Sequence, residues 1–115
     1  MLLRGTTDAH LIGTHALDPS TGKIRWRIEQ ATPMIGGVTP TAGGVVFTGD
    51  LLGRFQVLDA KSGKKLYQFQ TGGPIAGGVV TYEVKGRQYI AVAAGNVSLI
   101  PGNRPGNPTI VVFGL

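Results

Sequence analysis

Residues 16–26, Ala-Leu-Asp-Pro-Ser-Thr-Gly-Lys-Ile-Arg-Trp, decide how the rest of the chain is read. Asp18 carries a short carboxylate that accepts from nearby backbone N–H groups, Thr21 adds a hydroxyl, and Gly22 tolerates positive φ. The stretch therefore predicts a tight turn between two strands. Trp26 falls four residues past the glycine, on the outgoing strand, where a large ring covers a neighbouring sheet and its polar tip finds a partner. A second copy stands at residues 57–67, Val-Leu-Asp-Ala-Lys-Ser-Gly-Lys-Lys-Leu-Tyr. A shift of 41 residues carries Ala16, Asp18, Thr21, Gly22, Lys23 and Trp26 onto Val57, Asp59, Ser62, Gly63, Lys64 and Tyr67. The same shift carries Pro33, Gly36, Gly37 and Val38 onto Pro74, Gly77, Gly78 and Val79. A repeat of this length with strand-like content marks a propeller blade rather than a helical solenoid.

On either side of the two copies, alternation and turn signals predict strands near 11–18, 23–29, 36–40, 44–49, 54–59, 65–70, 77–84, 88–94 and 109–114. No segment has helical periodicity. Val79–Val84 and Gln88–Gly95, joined by Lys85, Gly86 and Arg87, read as a hairpin, and Asn96–Pro108 reads as a long proline- and glycine-rich loop. The fold class is all-β: a partial propeller of about two repeats of four-stranded antiparallel blades. Its parts are the end of one blade at 11–34, a complete blade at 35–70 and an incomplete final blade at 71–115. Such an array leaves blade faces open, so missing blades or self-association are expected partners.

Composition agrees with many short strands and tight turns. The 115 residues include 19 glycines, more than twice the usual share of about 7%. The net charge of +5 raises nucleic acid as a partner, but the basic residues are scattered with no run longer than two, so they form no backbone-tracking stripe. Cysteine is absent, which removes disulfides and thiolate metal sites. Apolar runs are short and broken by Gly or Pro, so no membrane span is expected. Residues 1–10 do not look like a secretory signal.

Residues 16–26 resemble the tryptophan-docking motif of pyrroloquinoline quinone (PQQ) dehydrogenases, and residues 57–67 are a weaker copy. Residues 36–96, with Thr-Ala-Gly-Gly-Val-Val-Phe-Thr-Gly-Asp at 41–50 and Thr-Tyr-Glu-Val-Lys-Gly-Arg-Gln-Tyr-Ile-Ala-Val-Ala-Ala-Gly at 81–95, look like the final blades of quinoprotein alcohol or methanol dehydrogenases. The resemblance runs from about His10 to Leu115. It implies an eight-bladed propeller with PQQ on its axis, a calcium or lanthanide ion beside it, a catalytic Asp base, a periplasmic location and a cytochrome c electron acceptor. Most of that machinery lies upstream of the matching region. The chain is therefore expected to be a C-terminal fragment, inactive alone, of an oxidoreductase acting on CH–OH groups.

In that family the segment matching Pro33–Val38 often reads Pro-Leu-Trp-Gly-Gly, with the Trp against the quinone. Here the position is Ile35, which covers a ring by dispersion without π stacking. The resemblance thus assigns Ile35, Gly36 and Gly37, with their repeat equivalents Ile75, Ala76 and Gly77, to the cofactor wall. Equally, small residues there permit close approach of strands. No catalytic or metal-ligating residue is assigned. Asp50 reads as a turn cap, Asp18 and Asp59 as parts of the repeat, His10 and His15 as unpaired with any ligand partner, and Asn96 and Ser98 as loop formers. Two functions compete: propeller closure and cofactor wall in a PQQ-dependent alcohol dehydrogenase, or a non-catalytic PQQ-repeat propeller acting as a protein-binding scaffold.

Overall fold

The computed structural model describes residues 2–6, 13–30, 36–95 and 107–114. Among these described residues, ten strands form three antiparallel sheets. The first holds β1 (Leu2–Thr6), β2 (Gly13–Leu17) and β3 (Ile24–Glu29) in the order β1-β2-β3. The second holds β4 (Thr39–Pro40), β5 (Val45–Gly49), β6 (Arg54–Asp59) and β7 (Lys65–Gln70), in sequence order. The third holds β8 (Val79–Val84), β9 (Arg87–Ala94) and β10 (Thr109–Gly114), ordered β10-β9-β8.

The repeat is visible in backbone detail. Asp18 accepts from the N–H and hydroxyl of Ser20, at 2.9 and 2.6 Å, and Gly22 at φ 71° donates its N–H to the Asp18 carbonyl. Asp59 accepts from the N–H and hydroxyl of Ser62, and Gly63 at φ 74° bonds back to the Asp59 carbonyl. The capping serine therefore slides by one position between copies while the turn is kept. A ladder irregularity falls at Ala16/Leu17 in one copy and Val57/Leu58 in the other. Both carboxyls are held below their ordinary value, first by the serine hydroxyl and, for Asp18, next by the Ser20 N–H.

Alternation sorts side chains between sheets. On the second sheet, Val46 and Leu58 face the first, closing on Ala16 and Trp26, with Val38, Ile28 and Ala60 packed around them. Phe47 and Phe55 face the third, meeting Ile75, Val79, Ile90, Val92 and Ala94. The middle sheet thus has two buried faces, which explains why β5 reads as an apolar run rather than an alternating strand. Towards one end the first interface turns polar: Gln30 donates to Gln56, which is buried, at 3.0 Å.

Nine predicted strands correspond to β2–β10, with shifted ends. The largest differences are at 36–40 and 77–84, where the ladders begin only at Thr39 and Val79. The hairpin turn is two residues, Lys85 at φ 51° and Gly86 at φ 77°, so Arg87 belongs to the strand. Positive φ at both positions matches the right-handed twist of the flanking strands. β1 was not predicted. It pairs five residues with β2, but its sequence, Leu-Leu-Arg-Gly-Thr, shows neither alternation nor chemical likeness to the repeat. Among the described residues, no helix is long and apolar enough to cross a membrane.

Candidate functional site

The end of the sheets where the chain enters β4 and β8 is built from backbone. The Asp50 carboxylate is buried and accepts from the Leu52 and Arg54 N–H groups, each at 3.0 Å, and from Arg54 Nε at 2.6 Å. Its role is the turn cap expected from the sequence. Its main chain does more: the Asp50 carbonyl accepts from Ile75 N–H at 2.9 Å. The 70–74 segment is tied down alongside it. Thr71 donates through N–H and hydroxyl to the Gly53 carbonyl, and Gln70 Nε2 reaches the Leu52 carbonyl. Gly95 N–H then bonds to the Pro74 carbonyl at 2.9 Å, linking the β9 end to the same platform. These backbone links leave no side-chain signature, so nothing in the sequence pointed to them.

On that platform the predicted glycines meet. Gly37 N–H donates to the Gly77 carbonyl at 3.1 Å, bridging the second and third sheets. A Cβ on Gly36 would stand 2.9 Å from the Ile75 carbonyl oxygen, 3.2 Å from that of Gly77 and 3.3 Å from that of Gly49. All three neighbours are backbone and cannot swing away, so only glycine fits. A Cβ on Gly37 would come 3.3 Å from the Gly78 Cα, whereas one on Gly78 would meet nothing within 4 Å. The two strand entries therefore lie nearly in contact and present a surface without side chains. Thr39 Oγ1 donates to the Val79 carbonyl at 2.7 Å and continues the bridge.

Of the six residues assigned to a cofactor wall, Gly36, Gly37, Ala76 and Gly77 all keep exposed or partly exposed surface. Ile75 is fully buried, with its methyls against Gly49 and its side chain in the core shared with Phe47 and Phe55. Ile35, like His10, Asn96 and Ser98, lies outside the described residues. His15 is buried on β2, opposite Arg27. Among the described residues no three or more His, Asp or Glu gather at metal-binding distance.

An Asp-capped glycine turn that occurs twice, one copy of it covered by the Trp of the preceding sheet, together with sheets that meet at glycine entries, is the pattern of a PQQ-type propeller repeat. Residues 12–103 match a PQQ-repeat family profile described as outer membrane protein assembly factor BamB, and the chain belongs to this family. It is 43% identical over 94 residues to a quinoprotein ethanol dehydrogenase of Pseudomonas aeruginosa, covering 82% of this chain and 15% of that relative. Its fold is similar to a quinohemoprotein alcohol dehydrogenase from Comamonas testosteroni, with a TM-score of 0.79 at 36% identity, covering 89% of this chain and 16% of that one. A europium-containing methanol dehydrogenase is matched at TM-score 0.70 and 36% identity, over 72% of this chain and 15% of that one. The chain thus spans roughly one-sixth of the length of the relatives it matches.

Proposed function

We propose that this chain is a C-terminal propeller segment of a PQQ-dependent alcohol dehydrogenase, closing the propeller and walling one side of the quinone pocket. The observation that supports this is the close meeting of Gly36–Gly37 with Gly77–Gly78, where the absence of Cβ atoms permits close approach of a planar ring. On this reading the blades are bounded at 11–34, 35–70 and 71–115, with β1 extending the first sheet upstream of the first bound. Ile35, Gly36, Gly37, Ala76 and Gly77 would face the cofactor. Ile75 would act from beneath, fixing the height of the floor through Asp50 and Gly49.

When bound, the quinone accepts the hydride of an alcohol. The residues of this chain hold the floor level and exclude water from it. Calcium or a lanthanide, the catalytic base and the cytochrome c docking surface are assigned to parts of the protein beyond these residues, and the location to the periplasm. PQQ added with calcium to the 115-residue chain is therefore expected to give no saturable change in quinone absorbance or fluorescence. Stoichiometric binding by the chain alone would overturn the wall reading in favour of a self-sufficient site.

A second reading, a non-catalytic protein-binding scaffold, draws support from the assembly-factor description of the matching family profile. It also fits the uncovered apolar face of the third sheet, where Val80, Tyr82, Ile110 and Val112 are exposed. The two readings differ in whether the glycine floor ever meets a quinone.

A further inference from the structure

The interface between the first and second sheets changes character along its length. Around Trp26 it is apolar, closed by Ala16, Val46 and Leu58. Two residues further along the strands, on the same faces, stand Thr14, Thr48 and Gln56, all of them buried. Register brings them to one level: Thr14 lies opposite Ile28, and Thr48 lies opposite Gln56. Gln30, two residues beyond Ile28, donates across the interface to Gln56 at 3.0 Å. Arg54 follows on the same face of β6, two residues before Gln56, and its Nε donates to the Asp50 carboxylate at 2.6 Å.

Three polar atoms in this layer are sealed from solvent and have no hydrogen-bond partner among the described residues: Thr14 Oγ1, Thr48 Oγ1 and Arg54 Nη2. The other such atom, His15 Nδ1, lies on the opposite face of β2. A buried polar atom left unpaired forfeits its hydration without return, so orphans gathered in one interface point to a ligand that pairs them. Both walls come from this chain, β2 and β3 on one side and β5 and β6 on the other, so the layer does not depend on what lies beyond either outer sheet. Arg54 Nη2 only donates, whereas a threonine hydroxyl donates or accepts. The ligand therefore accepts at least one bond and is able to give another. Charge narrows the choice further: the Asp50 carboxylate already balances the Arg54 guanidinium, so an anion here would stand beside a buried carboxylate. Water meets every condition.

We infer that the polar layer between the first and second sheets is a resident-water site, in which water bridges the Thr14 and Thr48 hydroxyls across the two sheets and accepts from Arg54 Nη2. The bridge ties the Asp50–Arg54 turn to the sheet before it. That turn also holds Ile75 through the Asp50 carbonyl, so the water joins all three sheets at one level. This inference does not rest on the quinone reading.

Magnetic relaxation dispersion of the water oxygen tests it on the 115-residue chain, because it counts waters held longer than the molecule takes to tumble and ignores exchanging protons. Circular dichroism confirms that each variant keeps its strands. The wild type is expected to show a long-lived fraction. The double variant Thr14→Val/Thr48→Val, which keeps the branched shape and removes both hydroxyls, is expected to lose about one water from that fraction. Should the double variant not fold, Thr48→Val alone is read the same way. Thr39→Val, whose hydroxyl already has the Val79 carbonyl as acceptor, is expected to leave the fraction unchanged. A wild type without long-lived water overturns the inference. So does a folded hydroxyl-free variant that keeps the whole fraction, or an equal loss from Thr39→Val, which would trace the water elsewhere.

Discussion

The indole of Trp26 lies on the Gly63 turn of the next sheet: its Nε1–H donates to the Ala60 carbonyl at 2.8 Å, and a Cβ on Gly63 would fall 2.7 Å from the ring. One repeat's strand residue thus clamps the following repeat's turn. The bond gives a reason for pairing a glycine turn with an aromatic four residues later: the turn at Gly63 is the seat for the ring of the sheet before it.

The clamp makes two equivalent glycines unequal. Gly22 and Gly63 both have positive φ, but a Cβ on Gly22 meets nothing within 4 Å. Gly22→Ala is expected to cost about 1 kcal/mol for the left-handed backbone alone. Gly63→Ala adds overpacking against Trp26 and is expected to cost about 2–4 kcal/mol. Urea unfolding, read through the single tryptophan, measures both. Equal costs would mean the ring does not press on the turn.

Removing the ring itself has a different signature. Trp26→Ala is expected to destabilise by about 3–5 kcal/mol, the range for a large aromatic lost from a core. Trp26→Phe keeps most of the packing and loses the bond to Ala60, so about 1–2 kcal/mol is expected. Unfolding followed by far-ultraviolet circular dichroism gives the ranking.

The Asp50 turn carries the glycine floor through Ile75. Asp50→Ala leaves Arg54 without its carboxylate and two N–H groups without their acceptor, and is expected to cost about 3–5 kcal/mol. Amide exchange at Ile75, whose N–H bonds to the Asp50 carbonyl, is expected to speed up with it. Unchanged exchange there would show that the floor does not depend on the turn.

Glycine at the floor is similarly testable. Gly36→Ala forces three carbonyl oxygens apart and is expected to cost about 1–3 kcal/mol, whereas Gly78→Ala enters open space and should stay within about 0.5 kcal/mol of wild type. Thermal or urea midpoints suffice.

Acid sensitivity follows from the capped aspartates. Asp18 and Asp59 have folded values lowered below 3.8, so the unfolded chain binds more protons in that range. Their contribution is complete above the unfolded value and fades as pH falls through the folded one. Both groups are exposed, so the effect is small. In the double variant Asp18→Asn/Asp59→Asn the urea midpoint is expected to fall less steeply below pH 4 than in wild type.

Much of this architecture was legible because it is written in side chains. Asp18, Gly22 and Trp26, with their copies, announced turns and docking, and the alternation in β7 and β8 announced strands. What escaped is held by backbone. β1 pairs with β2 through peptide groups that any sequence supplies, and the ties from Asp50 to Ile75 and from Pro74 to Gly95 are main-chain bonds. Gly36, Gly37 and Gly77 were singled out by their place in the repeat, but their crowding was not legible, because a sequence does not show which carbonyls surround a missing Cβ. Ile75 was placed at the cofactor by its repeat position; its burial arises from Gly49 on a neighbouring strand, a contact the repeat does not contain.

Whether this chain supplies a quinone-facing wall is read from a graft. Residues of this chain can replace the matching 94-residue segment of the Pseudomonas aeruginosa quinoprotein ethanol dehydrogenase, and the folded chimera can be titrated with PQQ in calcium. Saturable binding of about one quinone per chain, lost on Gly36→Val, is expected. A chimera that folds with the parent's thermal profile but binds no quinone would contradict the wall reading and leave the scaffold.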